Sequence, residues 1–66
     1  MEMTMHGETI TYPRGAAAQV RRIVRAADAG GTIQAGDALR LFPGEPEMHT
    51  TLSLERALAH IGARVE

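Results

Sequence analysis

The stretch "AGDALRLFPG" (residues 35–44) decides how the chain is read as a fold. An acid follows a glycine directly, an apolar run comes next, and Pro43-Gly44 closes the segment. Taken alone it suits a phosphate-gripping loop, a ligand site or a turn. Its counterpart is "GETITYPRG" (residues 7–15). Gly7-Glu8 matches Gly36-Asp37, Ile10 matches Leu39, Tyr12 matches Leu41 and Gly15 matches Gly44, all at an offset of 29. A proline precedes each closing glycine, and a helical pattern follows both. The echo predicts two copies of a strand–turn–strand–helix unit, with Glu8 and Asp37 as turn residues rather than ligands.

In the first copy, Met3, Met5, Ile10 and Tyr12 alternate with polar residues. A two-residue type II′ turn at Gly7-Glu8 sets Met5 opposite Ile10 and Met3 opposite Tyr12. One face is then apolar and the other polar, as a half-buried hairpin requires. In the second copy, a three-residue loop at Gly36-Asp37-Ala38 pairs Ala35 with Leu39 and Ile33 with Leu41. Gln34 and Arg40 then point outward.

Between these hairpins, Ala16, Val20, Ile23, Val24 and Ala27 recur at i, i+4, i+7, i+8 and i+11, one face of a helix. Pro13 suits its start and Gly30-Gly31 its stop. The opposite face carries Arg14, Arg21, Arg22 and Arg25. This ridge is either a solvated helix face or a basic surface for an acidic protein or a phosphate backbone. Leu54, Ala57, Leu58, Ile61 and Val65 form the stripe of a second helix, capped by Ser53, Thr50 or Thr51. Gly62 can end it, leaving residues 63–66 as a tail or a short strand. The intervening "PGEPEMHTT" (43–51) reads as an exposed irregular loop carrying Glu45, Glu47, Met48 and His49.

Composition narrows the function. Sixty-six residues make one small domain, which buries only about 60% of the surface its unfolded chain exposes. There is no cysteine, so no disulfide or thiolate–metal site. Three scattered histidines, His6, His49 and His60, read as surface imidazoles, and neither metal nor cofactor is expected. No apolar run reaches the ~20 residues of a membrane span, and no signal-peptide pattern is visible, so a cytoplasmic location is expected. Seven arginines against eight acids give a net charge of −1. That balance, with one Tyr, one Phe and no Trp, makes nucleic acid a weaker expectation than protein as partner.

Catalytic signatures are missing. Ser53 is the only serine and reads as a cap, and there is no lysine for Schiff-base or P-loop chemistry. So small a fold also leaves little room for a pocket of ~300 Å³, the lower end for ligand sites. The expectation is a binding protein, not an enzyme.

Residues 20–61 resemble the TubC-type docking domains at the N-termini of some nonribosomal peptide and polyketide synthase subunits. Gly31, Ile33, Gly36, Asp37, Leu39 and Arg40 carry the resemblance. It implies a helix–hairpin–helix core whose hairpin and first helix grip a short acidic tail of an upstream subunit, with Arg40 and the arginine helix as contacts. The N-terminal hairpin and the 43–51 loop depart from that pattern. In class, the chain also resembles small phage inhibitors such as anti-CRISPR proteins, which implies an inhibitor or adaptor that covers a surface of a larger complex.

The expected fold is α+β, ordered ββαββα: hairpin 3–12, helix 14–29, hairpin 32–42, loop 43–51 and helix 52–62. One four-stranded antiparallel sheet carries both helices on one face. The expected core is Met3, Met5, Ile10, Tyr12, Val20, Ile23, Val24, Ile33, Leu39, Leu41, Leu54, Leu58 and Ile61. Thr4, Thr9, Thr11, Gln34 and Arg40 leave the other sheet face polar and open, and a homodimer would enlarge the small core. Partner-binding candidates are Arg14, Arg21, Arg22, Arg25, Arg40, Glu45 and Glu47.

Overall fold

A computed structural model of the chain describes residues 1–66. The elements run β1 (Glu2–Met5), β2 (Glu8–Thr11), α1 (Ala17–Ala26), β3 (Thr32–Ile33) and α2 (Ala35–Leu41). A 3-10 turn at Pro46–Met48 follows, then β4 (Leu52–Ser53), α3 (Leu54–His60) and β5 (Arg64–Val65). The class is α+β with antiparallel pairing throughout. The strands form two sheets, β1-β2-β5 and β3-β4, not one sheet of four.

The first hairpin is present with a shifted register. Met3 lies opposite Ile10 and Met5 opposite Glu8, so the turn is His6-Gly7 rather than Gly7-Glu8. His6 has φ 52° and Gly7 φ 80°, the two positive values that a type I′ turn requires. Like a type II′ turn, it matches the right-handed twist of the flanking strands. The slip is two residues, so Met3, Met5 and Ile10 keep their expected face. Residues 64–65 resolve into a third strand on this sheet, with Val65 opposite Ile10.

The second hairpin does not form. Residues 35–41 are α2, and Gly36 and Asp37 lie in its first turn. Between Gln34 and Gly44 there is no β-branched residue, while Ala, Leu and Arg favour a helix. The buried positions are Ala38 and Phe42, one helical turn apart, with Leu41 half-buried. Leu39 is 51% exposed and is not core. Gln34 and Arg40 consequently belong to no open sheet face.

The working internal repeat has an offset of 19. "TIQAGDAL" (32–39) aligns with "TLSLERAL" (51–58). Each copy is a short strand leading through an extended cap into a short helix; in the second copy the cap Ser53 is also the last strand residue. The caps Gln34 (φ −72°, ψ 155°) and Ser53 (φ −80°, ψ 155°) have nearly the same backbone. The strands pair with each other, setting Ile33 opposite Leu52, and Leu54 N–H donates to the Gly31 carbonyl at 2.8 Å to extend the ladder. Ile33, Leu52, Ala38 and Ala57 are all buried, so equivalent positions do equivalent work.

The helices are shorter than expected. α1 spans Ala17–Ala26 rather than 14–29, because Asp28 Oδ1 accepts from the Gly30 and Thr32 amides and draws the chain out of the helix. Ser53 caps α3 by accepting from Arg56 N–H at 3.1 Å. At its other end, Gly62 N–H donates to the Ala59 carbonyl and Ala63 N–H to the Leu58 carbonyl, a Schellman motif. Gly62 has φ 78°, which the motif needs and a side chain would strain.

One buried cluster includes Ile10, Val20, Ile23, Ile33 and Leu58 with Phe42, Met48 and Leu52. Met48, assigned above to an exposed loop, is 1% exposed. Met3, Met5, Leu54 and Ile61 only pack against its edge.

Two stability experiments follow from this core and its turn. Met48→Ala is expected to cost about 2–5 kcal/mol, whereas Leu39→Ala stays within about 0.5 kcal/mol of the parent, both read by urea denaturation. His6→Asn, better suited to positive φ, is expected to add about 0.5–1 kcal/mol and raise the melting temperature by a few degrees.

Candidate functional site

Three surfaces are built by this fold. The first is the outer face of α1. Arg21, Arg22 and Arg25 are exposed along it, and Arg14 is exposed just before its start. None has a carboxylate oxygen within 4.0 Å; the arginine ion pairs are Arg40–Asp37 and Arg64–Glu66. Arg21 and Arg25 are one turn apart, where like charges repel by a few tenths of a kcal/mol. Arg25 recovers part of this in the last turn, facing the negative end of the helix dipole. The face therefore concentrates positive charge with no internal neutralisation.

Arg40, Glu45 and Glu47 lie elsewhere. Arg40 sits on α2 and pairs with Asp37 at 3.6 Å, both side chains being exposed. Such a pair adds about 0–1 kcal/mol at most. Glu45 accepts from His60 Nε2 at 2.8 Å, and Glu47 lies beside them. The donor atoms of Glu45, Glu47 and His60 all fall within 4.8 Å of one another. One imidazole and two carboxylates are donor types that zinc accepts, so these three residues are the ones that could hold a divalent ion. Phe42 anchors this corner: its ring meets His60 edge-on at 5.1 Å, and its carbonyl is hydrogen-bonded to His49 Nε2. The acidic loop is thus folded back on α3, and His60 is the member that sequence spacing did not reveal.

The third surface is an open groove of about 640 Å³, larger than a chain of this length led us to expect. It lies between the hairpin turn, the C-terminal end of α1 with the loop after it, and the start of α3. Ile10 and Val24 form its buried floor; Met5, Leu54 and Val65 are half-buried around them. Glu8, Asp28 and Glu55 stand exposed at its rim. Glu8, read above as a turn residue only, reaches this rim because the register shift sets it opposite Met5 at the hairpin end. No local motif marks the groove, since its three acids come from three separate elements.

The only serine is engaged as the α3 cap. No protein-family model, curated protein or solved structure matches the chain.

Asp28 shapes one wall of the groove through its two amide contacts, both 2.9 Å. Asp28→Ala is expected to lower stability by about 1–2 kcal/mol, while Asp28→Asn retains most of it because an Oδ1 acceptor remains. Thermal melting of the two variants side by side makes the comparison.

Proposed function

We propose that the chain is a non-catalytic protein-binding module that acts by occupying a surface of a larger complex, as an inhibitor or adaptor does. The observation that carries this reading is the unpaired arginine face of α1, formed by Arg21, Arg22 and Arg25, with Arg14 exposed just before the helix. Arginine is suited to such a role because its planar guanidinium grips carboxylates in bidentate fashion and is weakly hydrated. An acidic protein surface would supply the missing counter-charges, steer the encounter and relieve the repulsion along the helix.

Phosphate could supply the same counter-charge, so nucleic acid is the competing partner. The protein reading is favoured because the net charge is −1 and both aromatic side chains able to stack on bases, Tyr12 and Phe42, are buried.

The test uses the tagged chain in its native host. One complex is expected to co-purify in stoichiometric amount and to be lost with Arg21→Glu/Arg25→Glu. That variant removes no internal ion pair, so its melting point is expected to stay near the parent's. Retention of the complex by the charge-reversed variant would refute the arginine face as the contact. A salt-sensitive gel shift at low salt, abolished by the same variant, would reassign it to nucleic acid. Displacement of the complex by a short acidic peptide would narrow the partner to the docking-domain type.

A further inference from the structure

We infer that the groove between the hairpin turn, the end of α1 and the start of α3 is a docking site for a basic protein segment that carries a large apolar side chain. This rests on the reading of the chain as a protein-binding module, but on residues separate from the arginine face.

Charge complementarity is the first support. Glu8, Asp28 and Glu55 rim the groove, and none pairs with any of the chain's seven arginines. The carbonyl end of α1 opens at the same place and adds negative potential. These three carboxylates outnumber the one basic side chain on the lining, His6, and the positive end of α3 that meets the groove at Leu54.

The floor is the second support. Met5, Leu54 and Val65 are each left half-exposed beside the buried Ile10 and Val24. A leucine- or methionine-sized side chain laid there would remove apolar surface from water on both partners. The volume, about 640 Å³, holds one such side chain with its flanking backbone. Met5 can adjust its rotamer to the incoming shape. A basic residue on either side of that anchor would then meet the rim carboxylates.

A fluorescein-labelled peptide of alternating arginine and leucine, titrated with the full 66-residue protein, tests this. Saturable binding is expected, with the amide resonances of Gly30, Gly31 and Glu55 shifting most. Replacing leucine by glycine in the peptide should weaken binding about tenfold or more, since the apolar anchor is lost. A glutamate–leucine peptide should not bind. Glu8→Lys/Glu55→Lys should also weaken the parent peptide about tenfold, with a smaller loss in Glu8→Gln/Glu55→Gln. Should the lysine pair fail to fold, the glutamine pair carries the comparison alone. Arg21→Glu/Arg25→Glu should bind the peptide as the parent does.

Wild-type affinity in both Glu8/Glu55 variants would overturn the proposal, as would absence of saturable binding or resonance shifts confined to other faces. Equal binding of the glutamate–leucine peptide would do the same. Concentration-dependent shifts of Gly30 and Gly31 without peptide would assign the groove to a second copy of the chain instead. Failure of the peptide leaves the arginine-face pull-down untouched, so the two readings fall separately.

Discussion

Ile33 opposite Leu52 is the contact on which the arrangement of helices depends. The two residues are 0% and 2% exposed and belong to strands only two residues long. Each strand runs straight into a helix through an extended cap, so pairing the strands also places α2 and α3. Strands this short gain little from their own ladder. Their value is positional: they convert two helices too short to persist alone into a fixed pair, onto which α1 and the hairpin sheet close.

That closure uses small residues as much as large ones. Ala16, Ala38, Ala57 and Ala63 are among the fourteen buried residues, where their size lets backbones approach. Large side chains such as Ile10, Ile23, Met48 and Leu58 fill what remains. A core of this kind leaves the charged residues to sort themselves over the surface. They do so unevenly, with unpaired cations along α1 and unpaired acids around the groove. Both surfaces are electrostatically incomplete, and the groove is floored by the core residues Ile10 and Val24.

The sequence was legible where periodicity and chemistry agreed. The apolar stripe at Val20, Ile23 and Val24 marks α1, the alternation in residues 3–10 marks the first hairpin, and Ser53 and Gly62 mark the ends of α3. It misled where a short segment satisfied two periods at once. Ile33, Ala35, Leu39 and Leu41 alternate like a strand, yet Ala38 with Phe42 supplies the helical stripe that burial selects. The echo at offset 29 rests on glycines, which say where a chain can turn but not which element follows. The repeat at offset 19 is quieter because it rests on Thr32/Thr51, Ile33/Leu52 and Ala38/Ala57, residues with no special punctuation. Of the candidate site residues, the α1 arginines were readable because helical spacing gathers them. The Glu45–His60 contact and the groove rim join residues remote in sequence, and only tertiary folding brings them together.

The pairing of β5 with β2 has a consequence for the route to this structure. Ile10 meets Val65 across a separation of 55 residues, while Ile33 and Leu52 meet across 19. Closing the longer loop costs about 1 kcal/mol more in chain entropy. The strand–cap–helix pair is therefore the cheaper of the two closures. β5 is two residues long and pairs with β2 alone. Its detachment would uncover Ile10 and the groove wall at Val65 together, making the rate of amide exchange at Glu66, whose N–H is held by the Thr9 carbonyl, a clock for opening of that surface.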